Sequence, residues 1–366
     1  MRIMFNTMGL GKGGAERVIN LLSNSFCLEN DVMIVTNIKT VPEYNFDDRI
    51  IIKSLVKNSN NFLRKFRRIS ILILLKLRKI TLTYKPDVII SFLPEPSFRI
   101  LLLKKLSKKI KDIPIIVSVR NDPNREYNNQ IFFYIMKKLY PYANQLVLQT
   151  EDSKKYFIEK IGYNGVVIPN PVADVFLTER YDGNREKRIV AVGRLEPQKN
   201  YKNMIDAFEI VSKKHDDYTF EIFGDGYLKS ELQDYINSKR LHNKIFLMGK
   251  TDNVKKAIYK ATVFVMSSDY EGMPNSLLEA ACLGIPCVST DCPCGGPREI
   301  LENGKSGILV EINNSQKLAE GIIKIVENEK IANKFGINTN KNQINYKTDL
   351  IVSKWFEEVK CLVIDK

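Results

Sequence analysis

Short apolar runs alternate along the whole chain with stretches of helical periodicity, and no other feature restricts the fold as much. In the first half the runs are Arg2–Thr7, Asp31–Thr36, Ile50–Leu55, Val88–Phe92, Ile115–Val119, Gln145–Leu148 and Val166–Ile168. Between them, helical patterns cover Gly14–Phe26, Phe62–Leu82, Ser97–Lys109 and Ile131–Tyr140. The runs "RIVAVGR", "YTFEIFG", "KIFLMGK", "TVFVMSS", "PCVSTD" and "GILVE" carry the same scheme through the second half. Strands that are apolar on both faces must be covered on both faces, which predicts parallel sheets between layers of helices. The scheme runs twice over 366 residues, so we expect an α/β protein of two Rossmann-like, doubly wound domains, each with its own core. The joint is expected at "VIPNPV" (167–172), where two prolines disfavour helix. The expected domains are 1–170 and 171–345, leaving 346–366 with an amphipathic helix over Leu350–Val363. Such sheets take ligands at the C-terminal ends of their strands, so two facing domains would offer a cleft.

Charge narrows the partners. The net charge is +14, and residues 53–111 hold sixteen Lys and Arg against only Asp87 and Glu95, so this window alone carries the excess. Within it, "FLRKFRRISILILLKLRKI" places apolar residues at 62, 66, 69, 73, 77 and 80, a helical stripe with basic residues on the other faces. Such asymmetry suits an anionic membrane face or nucleic acid, and a merely solvated basic face has the same composition. The longest apolar stretches, "ISILILLKL" and "VIISFL", fall far short of the ~20 residues that span a bilayer. "MRIMFNTM" leads straight into glycines and does not read as a secretion signal, so a cytoplasmic protein is expected. Four of six cysteines crowd into "ACLGIPCVSTDCPC", but without paired C-x2-C spacing or a nearby His they read as small buried thiols, not a zinc site.

Four stretches have the residue types that bind phosphates and hydroxyls. In "MGLGKGGAERVINLL", Gly13 and Gly14 open a helix directly after the first strand, so bare backbone can approach an anion; a tight strand-to-helix turn has the same needs. In "VGRLEPQKN", Arg194 follows a strand and Lys199 precedes a helix, so both project from the sheet's C-terminal edge, a pair of cations suited to a diphosphate. In "EGMPNSLLEA", Pro274 suits the first turn of a helix, and the N–H groups of Asn275, Ser276 and Leu277 favour a phosphate. Glu279, one turn further on, and Glu271, in the preceding loop, are carboxylates that can accept from vicinal hydroxyls at either end of one extended ligand. "DCPCGGPREILENGKSGILV" adds a Gly-Gly-Pro turn with Glu299 in the next helix, readable equally as a structural loop.

Taken in order, "GGAER", "VGRLEPQKN", the two glutamates of "EGMPNSLLEA" and "GGPREILENGKSGILV" resemble glycosyltransferase family 4, retaining enzymes of the GT-B fold, over nearly the whole chain. The resemblance implies that Arg194 and Lys199 hold the diphosphate of a nucleotide-sugar donor, that Glu279 binds its ribose and that Glu271 binds the transferred sugar. It implies that the backbone of Met273, Pro274, Asn275, Ser276 and Leu277 cradles phosphate and sugar, and that Met248–Lys250 meets the base, with Lys250 at its end. Gly13 and Gly14 would face the diphosphate from the first domain, and the final helix would cross back to that domain. One departure concerns the reacting centre. Where many relatives have a His after the fifth strand, "SVRNDPNREY" has Arg120, beside Asn121 and Asp122. Arginine is no general base at neutral pH, so Arg120, with Asn121, would stabilise developing charge or bind the acceptor.

The expected reaction is transfer of a hexose or N-acetylhexosamine from a UDP-sugar to a polyprenyl-diphosphate-linked glycan of cell-surface polysaccharide. No D-x-D motif occurs, so no metal or other cofactor is expected, and the two cations and helix N-termini would balance the leaving diphosphate. Arg64, Lys65, Arg67 and Arg68 would draw the protein peripherally to the anionic inner face of the cell membrane. A hydrolysing UDP-sugar epimerase of the same fold needs no acceptor and is the nearest rival. A nucleic-acid-binding protein would use the 53–111 window but leave Glu271, Glu279, Arg194 and Lys199 without a task, so nucleic acid is not expected as a partner.

Overall fold

The computed structural model describes residues 1–11, 13–56 and 71–364. Arg64, Lys65, Arg67, Arg68 and the first part of the helix expected at Phe62–Leu82 lie outside the described residues. The chain forms two compact units, Met1–Pro171 with Asp349–Lys366, and Val172–Thr348.

In the first unit β1 (Arg2–Thr7), β2 (Asp31–Ile38), β3 (Ile51–Val56), β4 (Val88–Phe92), β5 (Ile115–Ser118), β6 (Gln145–Leu148) and β7 (Val166–Val167) form one parallel sheet in the order β3-β2-β1-β4-β5-β6-β7. Strand periodicity divides its side chains between two cores. Met4, Met33, Val35, Ile89, Ile115, Val117 and Leu146 lie in one. Ile3, Phe5, Val32, Ile34, Ile90, Phe92, Ile116 and Val147 lie in the other. The helix Thr348–Ile364 closes this second core with Ile351, Trp355 and Val359, which are spaced by four and fully buried. Trp355 stacks on Phe92 with ring centroids 5.9 Å apart, and Gln145 Nε2 donates to Glu358 at 2.7 Å.

Helix boundaries move where proline permits. The pattern predicts a start at Ser97, but the helix runs Pro94–Leu106, because prolines at 94 and 96 are tolerated in a first turn whose N–H groups have no intrahelical acceptor. The described part of the basic amphipathic segment is the helix Ile71–Tyr84, which buries Ile73 and Leu77 as the stripe predicts, together with Thr81. It leaves Ile71, Leu72 and Leu75 exposed.

The second unit repeats the plan with β8 (Glu186–Val192), β9 (Thr219–Phe223), β10 (Ile245–Gly249), β11 (Ala261–Met266), β12 (Cys287–Thr290) and β13 (Ile308–Val310), all parallel, in the order β10-β9-β8-β11-β12-β13. This is the Rossmann order, in which the direction of winding reverses between β8 and β11. The helix following β8, Tyr201–Lys214, packs into the core of Ile189, Ala191, Phe220 and Val263. The helix following β11, Asn275–Cys282, packs into the opposite core, of Val190, Phe264, Met266 and Cys287. Five of the six free cysteines are buried, Cys361 being exposed. Among the described residues no helix is long and apolar enough to cross a membrane.

Trp355 tests the docking of the last helix on the first sheet. Trp355→Ala should lower the unfolding free energy by ~3–5 kcal/mol, as large-to-small changes at filled core sites do, read by urea denaturation followed by far-UV circular dichroism.

Candidate active site

The reversal between β8 and β11 sets two strand ends side by side, and the chain leaves them towards opposite faces of the sheet. After β8 the backbone passes Gly193 and Arg194 and makes a 3-10 turn, Pro197–Lys199. Asn200 ends the turn in the left-handed region, φ 47° and ψ 51°, which Asn tolerates better than most residues. Hydrogen bonds tie this turn to the loop after β11. Ser267 Oγ bonds to the carbonyls of Lys199 (2.9 Å) and Asn200 (2.7 Å), and the Asp269 N–H donates to Gln198 O at 2.9 Å. Gln198 Nε2 donates to Tyr270 O at 2.8 Å, and Asn200 Nδ2 to Asp269 Oδ1 at 2.8 Å.

This stitching brings Lys199 Nζ to 2.5 Å from Glu271 Oε1, with the side chains 14% and 10% exposed. Ser268 Oγ donates to the same oxygen at 2.8 Å, while the Ser268 carbonyl accepts from Thr290 Oγ1 at 2.7 Å. Burial, with the negative charge of Glu271 adding to it, raises the pKa of the Tyr201 phenol and of the Cys292 thiol, so both stay protonated beside the pair.

Glu271 is followed by Gly272, Met273 and Pro274, and then by the helix Asn275–Cys282. Pro274 is the residue before the helix and not, as expected, in its first turn: its ψ of 112° is extended, and helical geometry begins at Asn275. Met273 and Leu277 are buried, whereas Asn275 and Ser276 are half-buried. Glu279, inside the helix, is 4% exposed. Gly296 packs against this loop, and a Cβ there would lie 1.8 Å from Gly272 O. No side chain larger than hydrogen fits without moving the backbone beside Glu271.

The other expected site residues are more dispersed. Arg194 is exposed and pairs with Glu196 at 3.0 Å, not with Glu271. Lys250 is exposed, just past β10. Gly13 precedes the helix Gly14–Phe26, and a Cβ on it would meet Glu16 Oε2 at 2.0 Å, so a carboxylate already lies at that helix's positive end. Arg120 follows β5 by two residues: Nη1 lies 3.4 Å from Ser118 Oγ, Nη2 donates to Asn170 Oδ1, and the guanidinium sits 5.7 Å from the Phe92 ring centre. Burial lowers its pKa to about 9. Asn121 is half-buried beside it, and Asp122 caps the short helix Pro123–Glu126 through a 3.0 Å bond from the Asn124 N–H. Among the described residues no group of three or more His, Cys, Asp or Glu could hold a metal ion.

Some positions beside the expected site residues have little or no sequence signal. Ser267 and Ser268 sit at the strand end of "VMSSD", where two small hydroxyls in an apolar run were the available sign. Glu126 left no sign: it ends a four-residue helix, and its Oε2 is enclosed without a hydrogen-bond partner. Burial, with Asp122 adding, pushes its carboxyl up to about 8.

With this geometry in place, the two Rossmann-like units define a GT-B fold. Residues 12–175 match the family model described as Glycosyltransferase Family 4, and residues 180–342 that described as Glycosyl transferases group 1. The chain belongs to the glycosyltransferases, its first unit of family 4 and its second of group 1. An uncharacterised glycosyltransferase of Methanocaldococcus jannaschii is 29% identical over 337 residues, covering 79% of this chain and 82% of the relative. The Campylobacter jejuni N-acetylgalactosamine-N,N'-diacetylbacillosaminyl-diphospho-undecaprenol 4-alpha-N-acetylgalactosaminyltransferase is 26% identical over 345 residues, covering 88% and 89%. Among solved structures, a mutant of Staphylococcus aureus TarM in complex with fondaparinux, alpha-GlcNAc-glycerol and UDP superposes with a TM-score of 0.78 at 18% identity, covering 98% and 99%.

Two outcomes follow from these contacts. Gly296→Ala should lower second-unit stability by ~1–3 kcal/mol, the usual cost of overpacking. Gly304→Ala, at φ 87° with nothing within 4 Å, should lose only the strain of its backbone; calorimetry compares the two. Glu126 is raised above its ordinary 4.5, so the stability it contributes is present below that value and lost as pH rises through about 8. Urea denaturation from acid to mildly alkaline pH should therefore show wild-type stability falling more steeply than that of Glu126→Gln, the variant being the more stable above pH 8.

Proposed function

We propose that this glycosyltransferase moves a hexose or N-acetylhexosamine from a UDP-sugar to a polyprenyl-diphosphate-linked glycan, with retention at the anomeric carbon, in the making of cell-surface polysaccharide. The observation that carries the reading is the Lys199–Glu271 pair, held at the switch point of the second sheet beside the start of the helix Asn275–Cys282. In this reading Lys199 turns from Glu271 to the donor diphosphate, joined by Arg194 and the first-turn N–H groups of Asn275, Ser276 and Leu277. Glu271 then accepts from hydroxyls of the transferred sugar, and Glu279 from the ribose. Met273 and Pro274 shape the backbone under the phosphate, and Lys250 and its strand end meet the base. The acceptor oxygen bonds to the anomeric carbon as the carbon–phosphate-oxygen bond breaks, and its proton passes to the departing UDP on the same face. No metal ion is needed in this scheme, because fixed cations and helix dipoles meet the charge as it develops.

The relatives support the choice of substrates. The Campylobacter jejuni relative is named for a diphospho-undecaprenol acceptor, and the TarM structure holds UDP. A cytoplasmic protein attached peripherally to the anionic inner face of the membrane fits the exposed Ile71, Leu72 and Leu75 beside Lys76 and Lys79. Arg64, Lys65, Arg67 and Arg68 would add charge to the same segment.

A screen of UDP-sugars against polyprenyl-diphosphate sugars, with products weighed by mass spectrometry, tests the proposal. Lys199→Ala and Glu271→Ala should each lower kcat/KM by ~10²–10³, as loss of one group aimed at developing charge does. The double variant should lose more than either single variant, because in the bound state the two groups hold different parts of the donor. Full transfer by both single variants would overturn the assignment, and a sugar altered without any acceptor would identify an epimerase instead.

A further inference from the structure

Among the described residues, Arg120 is a half-buried cation without a counter-ion. Its partners are all neutral: the Ser118 hydroxyl, the Asn170 side-chain oxygen and the face of Phe92. Its Nε is enclosed with no hydrogen-bond acceptor, and desolvation alone sets the direction of its pKa shift. Two other partly buried arginines show how such a charge is provided for. Arg188 pairs with Glu186 and Glu221, each at 2.6 Å. Arg185, also without a carboxylate, spends its fork on the carbonyls of Tyr259, Ala261 and Gly284. A charge taken from water without a partner costs several kcal/mol, and proteins seldom leave one so.

The place of this cation indicates what completes it. Phe92 ends β4, Ser118 ends β5, Gln149 follows β6 and Asn170 follows β7, so Arg120 sits among the C-terminal strand ends, where parallel sheets receive ligands. Directly after Phe92, Leu93 holds φ 69° and ψ 155°, a conformation costly for a residue with a Cβ, and it opens the thirteen-residue helix Pro94–Leu106 without capping it. Glu95, in that first turn, is drawn to Arg99 at 3.5 Å.

We propose that Arg120 binds an anionic group carried by the acceptor glycan, a carboxylate of a uronic acid or a phosphate substituent, which supplies the missing counter-charge. A planar guanidinium that is half-buried and has no carboxylate partner matches the paired oxygens of either group. The proposal rests on the transferase reading only in placing the anion on an acceptor, since that reading gives the donor diphosphate to Lys199 and Arg194. It makes Arg120 a selector of charged over neutral acceptors.

The single tryptophan, Trp355, stacks on Phe92, whose ring lies under Arg120, so its emission reports on the site. The full chain, saturated with UDP, is titrated at constant ionic strength with D-glucuronate, with glycerol 1-phosphate and with D-glucose as a neutral control. A saturable change with at least one anion and none with glucose is expected, and the tighter anion identifies the acceptor's group. Arg120→Gln should weaken that binding about tenfold or more, and its thermal midpoint without anion should be no lower than that of wild type, because an uncompensated charge has been removed. Arg120→Lys, with the charge but not the fork, should bind more weakly than wild type. An equal response to glucose or unchanged anion affinity in Arg120→Gln would overturn the proposal; so would the absence of any anion response in wild type, which holds even if a variant fails to fold. None of these readings needs turnover, so failure of the transferase reading shows separately, as no product in the donor screen.

Discussion

Everything in the proposed donor site depends on the reversal of winding at β8. Because β8 and β11 are neighbours whose following helices pack into opposite cores, their C-terminal ends stand together with neither connection crossing them. Adjacency alone would leave two independent loops. The Ser267 hydroxyl, bonded to the carbonyls of Lys199 and Asn200, converts it into a fixed geometry, and Gln198 and Asn200 complete the tie from the other loop. Residues 72 apart in sequence thereby become hydrogen-bonded partners.

The pair so formed has a property that suits exchange. Lys199 and Glu271 are mostly buried, and a buried ion pair contributes little net stability because desolvation offsets the attraction. What it provides is a charge arrangement already withdrawn from water. A diphosphate gives Lys199 a doubly charged partner, and sugar hydroxyls give Glu271 the donors that the lysine vacates. Ligand binding would then exchange partners without leaving either charge alone. Tyr201 and Cys292, both kept protonated, add no competing charge.

The fold was legible in the sequence because it rests on periodicity. Continuous apolar runs such as "VIISF" must be buried on both faces, and β4 is buried at every residue. Where sequence and structure differ, the reason is local: a helix starting at Pro94 instead of Ser97 reflects proline's tolerance of a first turn, and Pro274 standing before its helix reflects an extended ψ. The two glutamates and Lys199 were legible as types at suitable spacing, but the meeting of Glu271 with Lys199 was not, since it depends on Ser267, Gln198 and Asn200 acting between two strand ends. Arg194 shows the same limit from the other side. Its spacing from Lys199 suggested a joint grip, yet its guanidinium rests on Glu196, two residues away, in an exposed pair that contributes little stability.

The resemblance pointed to Arg120, but its enclosure could not be read from sequence, because what distinguishes it is a missing partner. An arginine two residues beyond a strand is ordinarily solvated, and nothing in "SVRNDPNREY" says that Phe92 and Asn170 enclose it. The two sheets thus carry cations of opposite design at their C-terminal edges. Lys199 has a resident carboxylate that a ligand must displace, whereas Arg120 has neutral neighbours and a buried N–H without an acceptor. A displaced carboxylate must find new donors, so on the proposed reading Lys199 would favour ligands that bring hydroxyls along with their phosphate, as a nucleotide sugar does. An uncompensated guanidinium demands only negative charge. With both proposals, the first sheet would discriminate by charge and the second by the combination of charge and hydroxyls, which is a sufficient physical basis for keeping two substrates in their own places.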